Sequence, residues 1–386
     1  MFRSELKLLA DRSVLRRLSR LESGTGPIIQ YAGREVILLS SNDYLGLATH
    51  PEVIRAAMQA TEQYGAGSGA SRSVSGTLPP HMDLETSLAT FKGTEAAILF
   101  GAGYLANIGV IPTFIGPGGL ILADRLCHAS LIDGCRLSRA DFRVFRHRDC
   151  EHLELLLRRR RTSRPTLIVT EGLFSMDGDL APLSDLVSLA ERYEAMLYVD
   201  DAHGTGIMGP TGRGTIEQFG LEQRIPFHMG TLSKALGSHG AYIVGPNELI
   251  QYLINVTRSF IFTTALPPAI AAAAMAAMAV IQREPERRTR LWSNRQRLFN
   301  GIQNLGFSMT QTTSPILPIL IGDAAAASTL SERLLTHGVY ASAIRPPTVP
   351  DGTSRIRLTV TSEHTNQQID EALHALELAG RETGLI

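Results

Sequence analysis

The sequence predicts an α/β fold in which a large domain, built on a mostly parallel sheet, precedes a smaller α+β domain at the C-terminal end. Three observations carry that prediction. Short apolar runs alternate with helical segments from about 51 to 265, several of those runs are bounded by Gly, Asp or Pro, and the pattern changes after an alanine-rich stretch near 267–282.

In chain order, residues 1 to about 22 read as a helix, with Leu15-Arg-Arg-Leu18 at helical spacing. A short β stretch over Glu35–Ser40 ends in the polar turn Ser41-Asn42-Asp43. The expected strands of the large sheet are Ala96–Phe100, Leu120–Ala123, Phe142–Phe145, Thr166–Thr170, Met196–Val199 and Ala241–Val244. Ala265–Ile281 opens on two prolines and is dominated by alanine, which suits a packed helix better than a membrane span. A charged helix over Glu284–Leu305 follows, then strands Ile316–Leu320 and Arg355–Val360 with helices Ala324–Leu335 and Thr365–Leu378. The expected division is an N-terminal helix and β segment over 1–50, a large domain over 51–275 and a small domain over 276–386.

Composition narrows the function classes. The 37 basic and 37 acidic residues cancel, so charge gives no sign of nucleic acid or a membrane surface as a partner. Cys127, Cys135 and Cys150 form no CxxC pair and have no metal-ligand spacing, so no metal is expected and a reducing, cytoplasmic setting is the simplest reading. The first residues hold no long apolar run of a secretory leader. Only Lys7, Lys92 and Lys234 are lysines, so chemistry that needs a side-chain amine has three candidates.

Chemistry concentrates in three segments. In Ile98-Leu-Phe-Gly101-Ala-Gly103-Tyr104-Leu-Ala-Asn107 an apolar strand meets glycines and then a helix. Open N–H groups at such a helix start suit an anion. The same Gly-x-Gly-x-x-Ala spacing, with Asp124 after the next strand, also fits a dinucleotide fingerprint or a tight turn with no ligand. In Met196-Leu-Tyr-Val-Asp200-Asp201-Ala-His203-Gly204, Asp200 ends an apolar strand. A carboxylate there can keep a pyridine nitrogen protonated, or can cap the next turn. In His228-Met-Gly-Thr231-Leu-Ser-Lys234-Ala-Leu-Gly237, a lysine lies among hydroxyls and glycines. Lys7 falls in a fraying terminus and Lys92 at a helix end beside Gly93, which leaves Lys234 as the credible imine-forming amine.

Together with Ser41-Asn-Asp-Tyr-Leu-Gly-Leu47, Asp124-Arg-Leu-Cys-His128-Ala-Ser-Leu-Ile, Thr170-Glu-Gly-Leu-Phe-Ser175-Met-Asp-Gly178 and Pro346-Pro-Thr-Val-Pro-Asp-Gly-Thr-Ser-Arg-Ile-Arg357, these segments resemble the α-oxoamine synthases over nearly the whole chain. The resemblance implies the type I aminotransferase-like fold and pyridoxal 5'-phosphate as cofactor. It also implies decarboxylative condensation of an amino acid with an acyl thioester. By the same resemblance, Lys234 holds the cofactor as a Schiff base and moves protons, His128 stacks on the ring, Asp200 pairs with the ring nitrogen and His203 with the ring oxygen. Gly103, Tyr104 and Thr231 bind phosphate, Glu171 and Ser175 lie beside the ring, and Thr263 or Thr264 reaches the phosphate of a partner in a homodimer with a shared site. Asn42 and Arg357 hold the amino-acid carboxylate, Arg345 assists or touches the acyl chain, and Arg16 is assigned to the acyl substrate. Cys127 replaces a common Asn, and Ala102 replaces a Ser found in some members.

The N-terminal and Pro-rich motifs look most like the member that takes L-alanine and a pimeloyl thioester, on coenzyme A or a carrier protein. The alternative is a member that uses glycine or serine with another acyl thioester. Further afield stand a true aminotransferase, which would release a keto acid without consuming thioester, and an inactive regulatory subunit, disfavoured by Lys234, Asp200 and His203 all being present. A dinucleotide oxidoreductase would need to bind nicotinamide.

Overall fold

The computed structural model describes residues 2–160 and 164–386, which fall into two compact units. The large unit comprises His50–Phe174 and Leu180–Pro285. Its sheet has seven strands in the order Ala96–Phe100, Ala241–Gly245, His228–Thr231, Met196–Asp200, Thr166–Glu171, Leu120–Asp124, Asp141–Phe145. The last five in that order run parallel to one another, while Ala241–Gly245 is antiparallel to both of its neighbours.

All six expected strands are present to within a residue; helices cover both faces of this sheet, and every one of the six except the edge strand Asp141–Phe145 is apolar on both sides. Leu120–Asp124 shows the pattern: Ile121 and Ala123 join one core cluster, with Val110, Val169, Tyr198 and Ile243. Leu120 and Leu122 join the other, with Ile168, Leu186 and Val199. Register then places the functional strand ends side by side. Glu171 pairs with Asp200, and Asp200 with Met229, so three neighbouring strands finish on the edge where ligands of parallel sheets bind.

The small unit takes residues up to 49 together with Ser175–Asp179 and Glu286–Ile386. Ser354–Thr359 is the middle strand of a three-stranded antiparallel sheet, flanked by Ile316–Gly322 and Ser342–Ile344. Helices Glu286–Asn304, Ala324–Thr336 and Asn366–Thr383 accompany it. A second sheet joins the hairpin Ile28–Tyr31 and Arg34–Leu38 to the short strand Val339–Tyr340.

Two expectations change. The N-terminal helix spans Phe2–Asp11 and buries no residue; it stops well short of 22. Ser13 sits in the left-handed region at φ 56°, and Val14 turns inward to be buried. The Leu15–Leu18 spacing therefore has no apolar surface to pack on, and Leu18 is fully exposed. Without tertiary burial, helical periodicity in so short a segment does not sustain a helix. The division expected at 275 falls inside the continuous helix Pro268–Arg283, and the units part between Pro285 and Glu286.

Candidate functional site

Asp200 is the centre of the large unit's polar edge. It is buried, and its carboxylate accepts from Asn107 Nδ2 at 2.8 Å and from the Ala202 amide at 3.0 Å. Asn107 is itself fixed, since its Oδ1 accepts from the Tyr198 hydroxyl at 2.8 Å and its Nδ2 also donates to Ser130 Oγ at 2.9 Å. With two oxygens and one donor on each, the carboxylate keeps lone pairs for a further charged N–H. His203 lies buried in the turn that follows.

His128 follows the strand Leu120–Asp124, two places along the sheet from that of Asp200, and begins the helix Ala129–Leu137. Its amide donates to Glu171 Oε1 at 2.7 Å, and its Nδ1 lies 2.8 Å from Ser130 Oγ and accepts from the Ser130 amide at 3.2 Å. Glu171 is thus a brace for the histidine backbone. Burial holds the His128 pKa below the ordinary histidine value. The Asp200 carboxylate opposes that shift and the Lys234 ammonium adds to it, so all three groups share one electrostatic neighbourhood. Cys127 points away from this chemistry: its thiol is buried in the core beneath the sheet and faces the Val169 carbonyl at 3.6 Å. Burial drives its pKa far up, which disfavours the thiolate.

Lys234 is half-buried in the loop after His228–Thr231. That loop is closed by Thr231, whose hydroxyl donates to the Gly240 carbonyl at 2.9 Å and accepts from the Ser233 amide at 3.1 Å. Thr231 Oγ1 also lies 2.6 Å from the hydroxyl of exposed Ser233, the other hydroxyl beside the lysine. On the neighbouring element, the helix Gly103–Phe114 starts at Ala102, which offers no side-chain cap. The amides of Gly103 and Tyr104 therefore stand at a helix start that its N-cap residue does not cap. A Cβ at Gly103 would meet Met229 Cε at 2.9 Å, so the glycine lets this helix start approach the strand that ends at Thr231. Tyr104 donates its hydroxyl to Asp133. Thr263 and Thr264 line a small cavity that also touches Gly101, and Thr264 bridges to Ser71.

The small unit carries the arginines. Arg357, on Ser354–Thr359, is buried; its Nε donates to the Ser175 carbonyl at 2.6 Å and its Nη2 to Asn42 Oδ1 at 3.0 Å. Buried Tyr44 completes the bracket around it. Asn42 and Ser175 thereby orient the guanidinium. Arg355, two residues back on the same face, is instead consumed in an ion pair with Asp177 at 2.6 Å. Arg345 donates to the Ser13 carbonyl at 2.7 Å and to Ser328 Oγ at 3.0 Å. Burial lowers its pKa, and the charge of Arg16 lowers it further, so the two expected arginines do come near each other. Exposed Arg16 donates to Thr348 Oγ1 at 3.0 Å and to the Pro346 carbonyl at 3.4 Å. Thr348 is a partner of Arg16 that sequence marks only by its place in the Pro-Pro-Thr-Val-Pro run. Among the described residues no cluster suits a metal ion, and no helix is long and apolar enough to cross a membrane.

Residues 34–376 match the family described as aminotransferase class I and II. The chain is 48% identical over 385 residues to 8-amino-7-oxononanoate synthase of Geobacter sulfurreducens, covering 99% of this chain and 98% of that one. It is 47% identical over 383 residues to the synthase of the same name from Symbiobacterium thermophilum, with 99% and 98% covered. Among solved structures, serine palmitoyltransferase from S. paucimobilis with bound PLP–myriocin aldimine superposes with a TM-score of 0.96 at 36% identity, covering 100% of this chain and 98% of that one. An 8-amino-7-oxononanoate synthase from Francisella tularensis gives 0.77 at 28% identity, with 90% and 98% covered.

Proposed function

The chain belongs to the aminotransferase class I and II family, and on that footing we propose that it condenses L-alanine with a pimeloyl thioester to give 8-amino-7-oxononanoate, carbon dioxide and a free thiol in biotin synthesis. The observation that carries this reading is the 48% identity to the G. sulfurreducens synthase over essentially both chains. The residues fit pyridoxal 5'-phosphate: a buried carboxylate with lone pairs to spare, a half-buried lysine and an uncapped helix start.

When bound, that cofactor supplies the electron sink for a carbanion at the amino acid's α-carbon. The protein's residues do the rest. The Gly103 and Tyr104 amides, with the Thr231 loop, bind the phosphate. Asp200 would keep the ring nitrogen protonated, and Asn107 and the Ala202 amide hold that carboxylate in place. Neutral His128 covers the ring face, and His203 hydrogen-bonds the ring oxygen. Lys234 Nζ carries the α-proton away and returns one to the product. Arg357, oriented by Asn42 and the Ser175 carbonyl, binds the substrate carboxylate, while Arg16 and Thr348 receive the acyl substrate and Arg345 supports them.

Arg357→Ala should therefore weaken amino-acid binding more than cofactor binding. A charge-assisted pair of this kind contributes roughly 1.5–3 kcal/mol, or about one to two decades in Kd. Spectral titration of the cofactor-loaded variant with L-alanine checks this, and an unchanged Kd moves the carboxylate site to Arg345.

A homodimer is part of the same reading. Val74, Phe262 and Met82 are 79%, 70% and 58% exposed on the large unit, and Thr263 and Thr264 neighbour Phe262 in sequence. The three free cysteines support a cytoplasmic setting.

A second reading, serine with a long-chain acyl thioester, is favoured by the 0.96 superposition on serine palmitoyltransferase. The deciding experiment compares kcat/KM for L-alanine with pimeloyl thioester, glycine with acetyl or succinyl thioester, and serine with palmitoyl thioester, each on coenzyme A and on a carrier protein. The alanine pair should lead. Measurable glycine turnover is compatible, because a pocket for one methyl group discriminates by only ~1–3 kcal/mol. A clear win for serine or glycine replaces the substrate assignment and leaves the family intact.

A further inference from the structure

Lys92 closes the helix Pro79–Lys92, with Gly93 in the left-handed region at φ 71°. A lysine in the last turn of a helix usually faces water, but this one is 4% exposed. Its ammonium donates to Thr205 Oγ1 at 2.9 Å and to the Arg213 carbonyl, and lies 3.7 Å from Asp201 Oδ2. It also sits 5.7 Å from the centroid of the buried Tyr242 ring.

Asp201 is completely buried. Its carboxylate accepts from Thr215 Oγ1 at 2.7 Å and from the Thr215 amide at 3.1 Å. Glycines make room for it: a Cβ at Gly204 or Gly214 would come within 2.1 Å or 1.7 Å of its oxygens, and one at Gly172 within 2.8 Å. Thr205 then ties back to the Asp201 carbonyl through its amide at 3.1 Å and its hydroxyl at 3.0 Å, and its hydroxyl lies 3.0 Å from that of Tyr242. The backbone clamped at Asp201 and Thr205 is the one on which Asp200 and His203 ride.

We propose that Lys92 is a positioning residue for the cofactor-facing turn: its ammonium, paired with Asp201 and bonded to Thr205, fixes the backbone that aims Asp200 and His203. This rests on the pyridoxal-phosphate reading given above. A buried ion pair is costly to desolvate and gains little net stability, so its value here is directional. Small misplacement of groups around a reacting centre can lower turnover by about 10²-fold.

Lys92→Met alone strands the Asp201 charge and can unfold the protein. The double variant Lys92→Met/Asp201→Asn removes both charges and is the cleaner probe. In holoenzyme carrying either change, kcat should fall about tenfold or more while KM for the amino acid stays within about threefold. The pH titration of the bound cofactor's visible band should shift, since Asp200 and His203 set it, and amide hydrogen exchange over 201–206 in the cofactor-free protein should quicken. A lowered melting temperature with kcat, band titration and exchange all unchanged makes Lys92 merely structural and overturns the proposal. Failure of the unaltered protein to take up pyridoxal phosphate overturns the proposed function, and this inference with it.

Discussion

Lys234→Ala should leave a folded protein with turnover reduced ~10³-fold or more, because proton transfer by a positioned side chain and covalent attachment are lost together. The chain offers no substitute amine. Lys92 is sealed in the core against Asp201 and Thr205, and Lys7 lies on an exposed helix of the other unit. Borohydride reduction of the loaded protein followed by peptide mass spectrometry should find cofactor on Lys234 before the substitution and on no lysine after it. Cofactor fixed at Lys7 or Lys92 would refute the assignment.

Asp200→Asn should retain cofactor yet lose turnover by ~10²-fold or more, the usual scale for removing a group that stabilises charge in the transition state. The surroundings sharpen this expectation. Asn107 Nδ2 and the Ala202 amide each donate to a separate oxygen of the carboxylate. An amide has one oxygen for two donors, so its NH₂ must confront one of them, and it brings no negative charge to a ring N–H. The measurement is exchange of the α-hydrogen of L-alanine in heavy water, followed by NMR without thioester. Exchange at a near-normal rate would dissociate Asp200 from the electron-sink chemistry.

The sheet was legible because most of its strands are buried on both faces and read as unbroken apolar runs, the edge strand Asp141–Phe145 excepted. Asp200 and Lys234 were legible because each follows such a run at the edge where ligands bind. What escaped depends on partners far away in sequence. Lys92 meets Thr205 across 113 residues, and Arg16 meets Thr348 across 332; neither pairing leaves a local pattern. Arg355 and Arg357 look alike on one strand, yet Asp177 takes the first, and no periodicity distinguishes them. The N-terminal helix was overextended because leucine spacing says nothing about whether a surface exists for those leucines to cover.

The scarcity and placement of lysine have a practical consequence for handling the protein. Amine-directed reagents, whether dyes, crosslinkers or activated resins, meet three side chains of very different access: Lys7 on an exposed helix, Lys234 half-buried in its loop and Lys92 enclosed. Masking Lys234 with cofactor before labelling should direct side-chain modification to Lys7. That helix buries none of its residues, so a tag or surface attached there should leave the packed interior undisturbed.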